Sequence, residues 1–251
     1  MKILGITLVK NEDLYIRQAL LNSLDFCDEI IVLDNNSTDN TWDIVSQLSE
    51  EHSHVSARRW ADPMNSGIVL QPYVGKDYWV LGLDGDELYS PHDLAKLRSK
   101  ILNGDYSNFS SIKGHAIHCV DIDLESKTVK GFTCPPSRTM TKLYNFSTLS
   151  QLFQDERLHG PPPSFKAGYS NEILRIDETI SWNESFFKCV HAAFVPRSSR
   201  DIDGSPRFPP HNSNSMGNAR LQFKLEKYRR GEISKIEVPD FFDEDLHKSS
   251  K

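Results

Sequence analysis

Short apolar runs and helix-period stretches take turns along the first hundred residues. Lys2 to Val9 is a short, mostly apolar run and predicts a buried strand, whereas Asp13 to Leu24 sets Leu14, Ile16, Leu20, Leu21 and Leu24 on one helical face. Strands follow over Glu29 to Leu33, Val55 to Trp60 and Tyr78 to Leu83, with a helix over Thr41 to Ser49 between the first two. Such alternation implies a mainly parallel sheet with helices on both of its faces. Ser90 and Pro91 open a further helix through Leu102, and Asn103 with Gly104 supplies its stop. The texture then changes. Ser110 to Asp123 predicts a long strand, Lys127 to Thr133 its hairpin partner and Lys142 to Phe146 another strand, which makes a mixed extension of the sheet. Gly160 to Ser164 and Ser205 to Pro210 read as breaker-rich loops. A polar helix from Ser213 or Asn214 to Arg230, ended by Gly231, precedes an acidic tail. The expected organisation is residues 1–104 as an α/β half, 105–212 as mixed sheet and loops of the same domain, and 213–251 as helix and tail.

Two of the predicted strands deliver carboxylates where they end. DNNSTDNT (Asp34 to Thr41) follows the second strand and LDGDE (Leu83 to Glu87) closes the fourth, and in open α/β sheets the carboxyl ends of strands are where ligands bind. A structural reading competes at each place. Asp34 to Asn36 can form a turn while Ser37, Thr38 or Asp39 caps the next helix, and Asp-Gly is a common hairpin turn. The capping role suits Ser37 to Thr41, but Asp34 stands at the strand end, and Leu88 to Pro91 is too short and breaker-bounded for a full returning strand. The loop after the first strand, Val9-Lys10-Asn11-Glu12, has no glycine, which argues against dinucleotide and P-loop phosphate chemistry.

The blocks VKNE (Val9 to Glu12), FCDEIIVLDNNSTDNT (Phe26 to Thr41) and YWVLGLDGDE (Tyr78 to Glu87), in that order and spacing, resemble the GT-A fold glycosyltransferases, and in particular family 2. The resemblance covers roughly the first hundred residues. It implies an α/β GT-A fold and transfer of a sugar from a nucleoside-diphosphate donor, with UDP favoured, to a hydroxyl-bearing glycan or lipid-linked acceptor. It places Thr7, Val9, Asn11 and Glu12 around the nucleoside and Asp34 on the base, where a carboxylate accepts the imide N–H of a pyrimidine. LDGDE becomes the DxD element, with Asp86 on a metal and Asp84 on ribose or a metal-bound water. Hard oxygen ligands suit Mn²⁺ or Mg²⁺. His191, between an apolar stretch and two arginines, is the candidate metal ligand from the far half, and Arg197, Arg200 and, more weakly, Arg58 and Arg59 are candidate phosphate cations. Family 2 enzymes typically invert and carry a base in an acidic pair after the DxD element, for which Asp155 and Glu156 are the candidates, with Glu178 and Glu184 behind them.

Composition narrows the alternatives. With 251 residues, a net charge of −6 and scattered basic residues, the chain can bury a real core and is no general nucleic-acid binder. Its four cysteines form no CxxC pair, which fits a reducing compartment and structural roles, and His118 beside Cys119 reads as a core residue. No apolar run is long enough to span a bilayer, and the N-terminal stretch lacks a signal cleavage site, so a cytoplasmic location is expected, with attachment to an acceptor-bearing membrane left open. Two other functions stay in view: a sugar-nucleotide nucleotidyltransferase, which needs a glycine-rich phosphate loop that is missing, and a catalytically silent carbohydrate-binding protein on the same fold.

Overall fold

The computed structural model describes residues 1–139, 143–152, 158, 163–201 and 225–242. Four parallel strands form its frame: β1 (Lys2–Val9), β2 (Glu29–Asp34), β3 (Val55–Arg59) and β4 (Tyr78–Gly82), side by side as β3-β2-β1-β4. Both faces are covered, which is why these strands read as continuous apolar runs. Ile3, Val9, Val32, Trp79 and Leu81 pack on α1 (Ile16–Leu21), α2 (Thr41–Glu51) and α3 (Pro91–Leu102), while Leu4, Ile6, Leu33 and Val80 pack on Leu70 of a 3₁₀ segment, Pro63–Tyr73. Helices thus lie on both faces, α on one and 3₁₀ on the other.

The sheet is extended beyond β4 by β9 (Leu143–Asn145), antiparallel to it, then by β6 (Ser111–Lys113) and β12 (Ile173–Arg175), so it draws strands from both sides of residue 104. A second sheet, in the order β14-β8-β7-β13-β5, joins β5 (Glu87–Tyr89), β7 (His115–Asp123), β8 (Thr128–Cys134), β13 (Lys188–His191) and β14 (Ile233–Glu237). A two-stranded ribbon of β10 (Leu149–Gln151) with β11 (Ser164–Phe165) and a short α4 (Ile176–Thr179) complete the described elements. Among the described residues, no helix is long and apolar enough to cross a membrane. All four cysteines are free and buried.

Three expectations need correction. The long strand over Ser110 to Asp123 is broken at Gly114, where the chain leaves the first sheet for the second; a Cβ there would lie 2.0 Å from the Phe187 carbonyl oxygen. The first helix is shorter than Asp13 to Leu24, because Tyr15 and Ile16 both donate to the Glu12 carbonyl in a tight turn and the Leu14 N–H is drawn to the Arg197 carbonyl. Leu14 is consequently exposed and leaves the expected apolar face. The hairpin after β4 is absent, as expected, yet Glu87–Tyr89 does form a strand, paired with β13 rather than β4. The start and stop signals of α3 act as read: Ser90 Oγ accepts from Asp93 N at 3.3 Å and Gly104 takes φ +81°. Of the C-terminal helix only its end, residues 225–228, falls among the described residues, followed by Gly231 at φ +83°. The loop Ser205 to Pro210 lies outside them.

Asp28 ties α3 to the sheet. Its carboxylate accepts from the Ile3 N–H at 2.6 Å and from Arg98 Nη2 at 2.6 Å and Nη1 at 3.2 Å. Burial alone would raise its pKa, but the Arg98 hydrogen bond and the Ile3 N–H outweigh that and hold it below the ordinary carboxylate value. A carboxylate whose folded pKa is depressed stabilises fully above the unfolded pKa, near 3.9, and loses that contribution as pH falls through the folded one. Asp28→Asn should therefore cost about 1–2 kcal/mol in urea unfolding at pH 7. The gap between variant and wild type should close on acidification below about pH 4; a constant gap down to pH 2 would assign the loss to packing instead.

Candidate active site

The C-terminal edge of the parallel frame carries two carboxylate centres. Asp34 ends β2 and is fully buried. One oxygen, Oδ2, accepts from Arg59 Nη1 at 2.5 Å and from the Ser37 N–H at 3.1 Å. The other, Oδ1, is buried with no hydrogen-bond partner among the described residues, and Thr7 Oγ1 in β1 is in the same position. Arg59 is itself steadied over the Trp42 ring, 4.3 Å from its centroid. A buried acceptor without a donor costs stability, so such atoms at a strand end mark a place that a ligand completes.

The loops after β1 and β2 are laced together. Asn11 and Asn36 take left-handed backbone, φ +54° and +53°, which asparagine tolerates better than most residues, so these turns need no glycine. The Asn11 N–H donates to Ser37 Oγ at 3.0 Å, Asn11 Oδ1 accepts from the Thr38 N–H at 2.8 Å, and the Glu12 N–H donates to Thr41 Oγ1 at 2.8 Å. The N-cap position of α2 falls to Asn40, whose side chain makes no cap bond; of the three candidates Asp39, just before it, accepts from the Thr41 N–H at 2.9 Å, while Ser37 and Thr38 bind the other loop.

The second centre is Asp86, 1% exposed. Gly85 lets its loop lie against the first one: a Cβ there would meet Glu12 Oε2 at 2.3 Å. Asp84 is half-buried, and its carbonyl accepts from the Glu87 N–H. Antiparallel pairing of β5 with β13 sets His191 opposite Glu87, and the Ala192 N–H donates to the Asp86 carbonyl at 2.9 Å. His191 Nε2 thereby comes within 3.3 Å of Asp86 Oδ2. Arg197 Nη1 bridges Asp86 Oδ2 and Glu12 Oε1, the latter at 3.2 Å. Burial pushes the Asp86 pKa up, but Arg197 and His191 together overcome it and leave the carboxyl far below its ordinary value. Arg197 is reached because its segment is stapled to the same loops: Ser198 Oγ donates to Asp39 Oδ2 at 2.6 Å and the Ser199 N–H to Asp13 Oδ1 at 2.7 Å.

Of the other sequence candidates, Val9 stands in register with Asp34 across the β1–β2 pair. Val9 packs its side chain into the core and contributes its carbonyl to Asn35 N. Arg58 is exposed over the Trp60 ring, and Arg200 is exposed. Glu178 pairs with Arg175, and Glu184 accepts from the Ser181 hydroxyl, both on the surface. Asp155 and Glu156 lie outside the described residues. His118, read from sequence as a core residue, is buried but also stands in register with His191 across the parallel β7–β13 pair, Nδ1 to Nδ1 at 2.9 Å. Nothing in the local sequence marks that contact. Burial, reinforced by His191, holds its pKa down to about 3.

The donor set is compatible with a divalent cation. Two cis ligands bound at ~2.1 Å to a six-coordinate ion stand about 3 Å apart, close to the separation of Asp86 Oδ2 and His191 Nε2. Among the described residues no three His, Cys, Asp or Glu side chains form a ready-made cage, so such an ion would draw its remaining ligands from water and phosphate oxygens. The family model of glycosyl transferase family 2 matches residues 6–167. The chain belongs to that family. Its α/β architecture is the GT-A fold of a family 2 glycosyltransferase. No curated protein sequence matches it. Among solved structures it is similar to S. aureus TarS (20% identity, TM-score 0.38, 51% of this chain and 24% of that one). It is also similar to the mannosyltransferase PcManGT of Pyrobaculum calidifontis in complex with GDP-Man and Mn²⁺ (17%, 0.33, 48% and 35%). A third likeness is to 4-diphosphocytidyl-2C-methyl-D-erythritol synthase of Anaerococcus prevotii (14%, 0.33, 58% and 70%). The chain spans 24% and 35% of the length of the first two.

Arg197→Ala should leave Asp86 and Glu12 buried without their shared cation, at a cost of about 3–5 kcal/mol in denaturant unfolding. Added Mn²⁺ should restore part of that stability, more than it adds to wild type, because the vacated charge position is open to it. Equal metal effects on the melting temperatures of both proteins would count against a cation position at Asp86.

Proposed function

We propose that this family 2 glycosyltransferase moves a sugar from a nucleoside-diphosphate sugar to a hydroxyl acceptor with the help of Mn²⁺ or Mg²⁺. The observation that carries the reading is the pairing of two centres on one sheet edge. Asp34 and Thr7 offer unfilled buried acceptor oxygens, and Asp86 with His191 offers a cation position. β2 and β4 flank β1, so the two centres stand ~10 Å apart, two strand spacings, leaving room for a ribose between base and diphosphate. The Asp34 carboxylate, held through one oxygen by Arg59, presents only acceptor positions, which favours a base with an N–H on its pairing edge, uracil first among them.

When bound, the cation supplies Lewis-acid stabilisation of the leaving diphosphate. Asp86 and His191 would hold it, Arg197, paired with Asp86 and Glu12, would offer its guanidinium to phosphate oxygens, and Glu12 with Asn11 would close the nucleoside side. The acceptor is a glycan or lipid-linked glycan hydroxyl, and transfer inverts the anomeric centre with Asp155 or Glu156 as base, on the family argument given above.

The reading is tested by thermal denaturation against nucleoside diphosphates with and without Mn²⁺: UDP should stabilise most, and only with metal at full strength. Asp34→Ala should weaken UDP binding about 10–100-fold by calorimetry, with kcat little changed, because a base contact is made equally in ground and transition states. Asp86→Asn should lower transfer by about three orders of magnitude or more, several kcal/mol of lost transition-state stabilisation. An Asp86→Asn enzyme with near wild-type turnover would remove the metal role.

A further inference from the structure

We infer that His118 is a positioning residue for the cation site: it holds His191 in the tautomer whose Nε2 lone pair faces Asp86. The inference rests on the metal reading above for its purpose, but its geometry stands independently. His118 Nε2 lies 2.6 Å from the Arg138 carbonyl oxygen, which can only accept. The His118 proton is therefore on Nε2, and in a neutral ring Nδ1 is left as an acceptor. His191 Nδ1, 2.9 Å away, must then be the donor. A neutral His191 with its proton on Nδ1 presents a bare lone pair at Nε2, 3.3 Å from the Asp86 carboxylate oxygen. Two acceptors face each other there unless His191 takes up a second proton, and a metal cation between them makes the contact favourable without one.

The surroundings leave this relay few alternatives. His118 is fully buried, so a second proton on its ring meets a desolvation cost. Tyr228 packs edge-on against His118 at 4.8 Å between centroids and against His191 at 5.9 Å, while Arg138 lies over the Tyr228 ring. The carbonyl at the root of the relay is itself anchored, since the Arg138 N–H donates to the Lys227 carbonyl at 2.8 Å. The β7–β13 register, His191 beside His118, points both rings to the same side of the second sheet. A metal-binding histidine commonly has its remote nitrogen held by such a partner, and losing the partner weakens metal binding about 10–100-fold.

The test needs no sugar transfer. In the wild-type apoprotein, ¹⁵N NMR of the histidine rings at pH 8 should find His118 protonated on Nε2 and His191 on Nδ1; a His191 proton on Nε2 would overturn the inference outright. In His118→Leu, which has no acceptor, His191 should become a tautomer mixture and Mn²⁺ affinity, followed by electron paramagnetic resonance, should fall about 10–100-fold. His118→Asn places an amide oxygen where Nδ1 stood and should restore affinity to within a few-fold of wild type. If His118→Leu binds Mn²⁺ like wild type while His191→Ala does not, the positioning role is lost and the metal site stands. If the wild-type tautomers are as inferred but Mn²⁺ binds none of the proteins, the metal reading fails and not the relay.

Discussion

A carboxylate taken out of water needs a cation beside it, and Asp86 imposes that need at the junction of the two sheets. It sits between the end of β4 and the start of β5, where the chain passes from the parallel frame into the second sheet. No cation is available from the adjacent sequence. Arg197 and His191 arrive from more than a hundred residues away, one on the stretch stapled to Asp13 and Asp39, the other on β13. The cost of burying Asp86 is thus offset only when both halves of the described chain are in place, which couples the order of the site to the order of the whole fold.

Asp34 and Asp86 show one device used for two ends. Each is buried and each is held by an arginine, which makes a buried carboxylate tolerable. At Asp34 the arginine takes one oxygen and the other is buried with no hydrogen-bond partner among the described residues, the state of a group prepared for a hydrogen bond from a ligand. At Asp86 the arginine and a histidine gather on a single oxygen, the histidine through its Nε2. The loops between them are locked to each other through Asn11, Ser37, Thr38 and Thr41, so these groups need little rearrangement to receive a ligand.

Much of the frame was legible because its causes are local. A strand covered on both faces must be apolar throughout, and Ile30 to Leu33 and Trp79 to Leu83 are; a helix that begins at Ser90-Pro91 and stops at Asn103-Gly104 carries its own caps. The misreadings arose where distant groups intervened. Gly114 looked like one residue within a long strand, but Phe187 approaches so closely that the chain bends into another sheet. Leu14 looked like core until the Arg197 carbonyl drew its backbone outward.

The sequence alone determined the α/β alternation, the family blocks and the carboxylates at the ends of β2 and β4, since periodicity and order along the chain suffice for these. It also singled out His191 from the two arginines near it. What only the tertiary structure decided was the company each residue keeps: Arg59 on Asp34, Arg197 across Asp86 and Glu12, and His118 behind His191. The first depends on the register of β2 with β3, and the others on the registers of β5, β13 and β7, pairings between segments up to about a hundred residues apart. A one-residue slip in any of them turns every side chain to the opposite face, and no local pattern around His118 or Arg197 specifies that register.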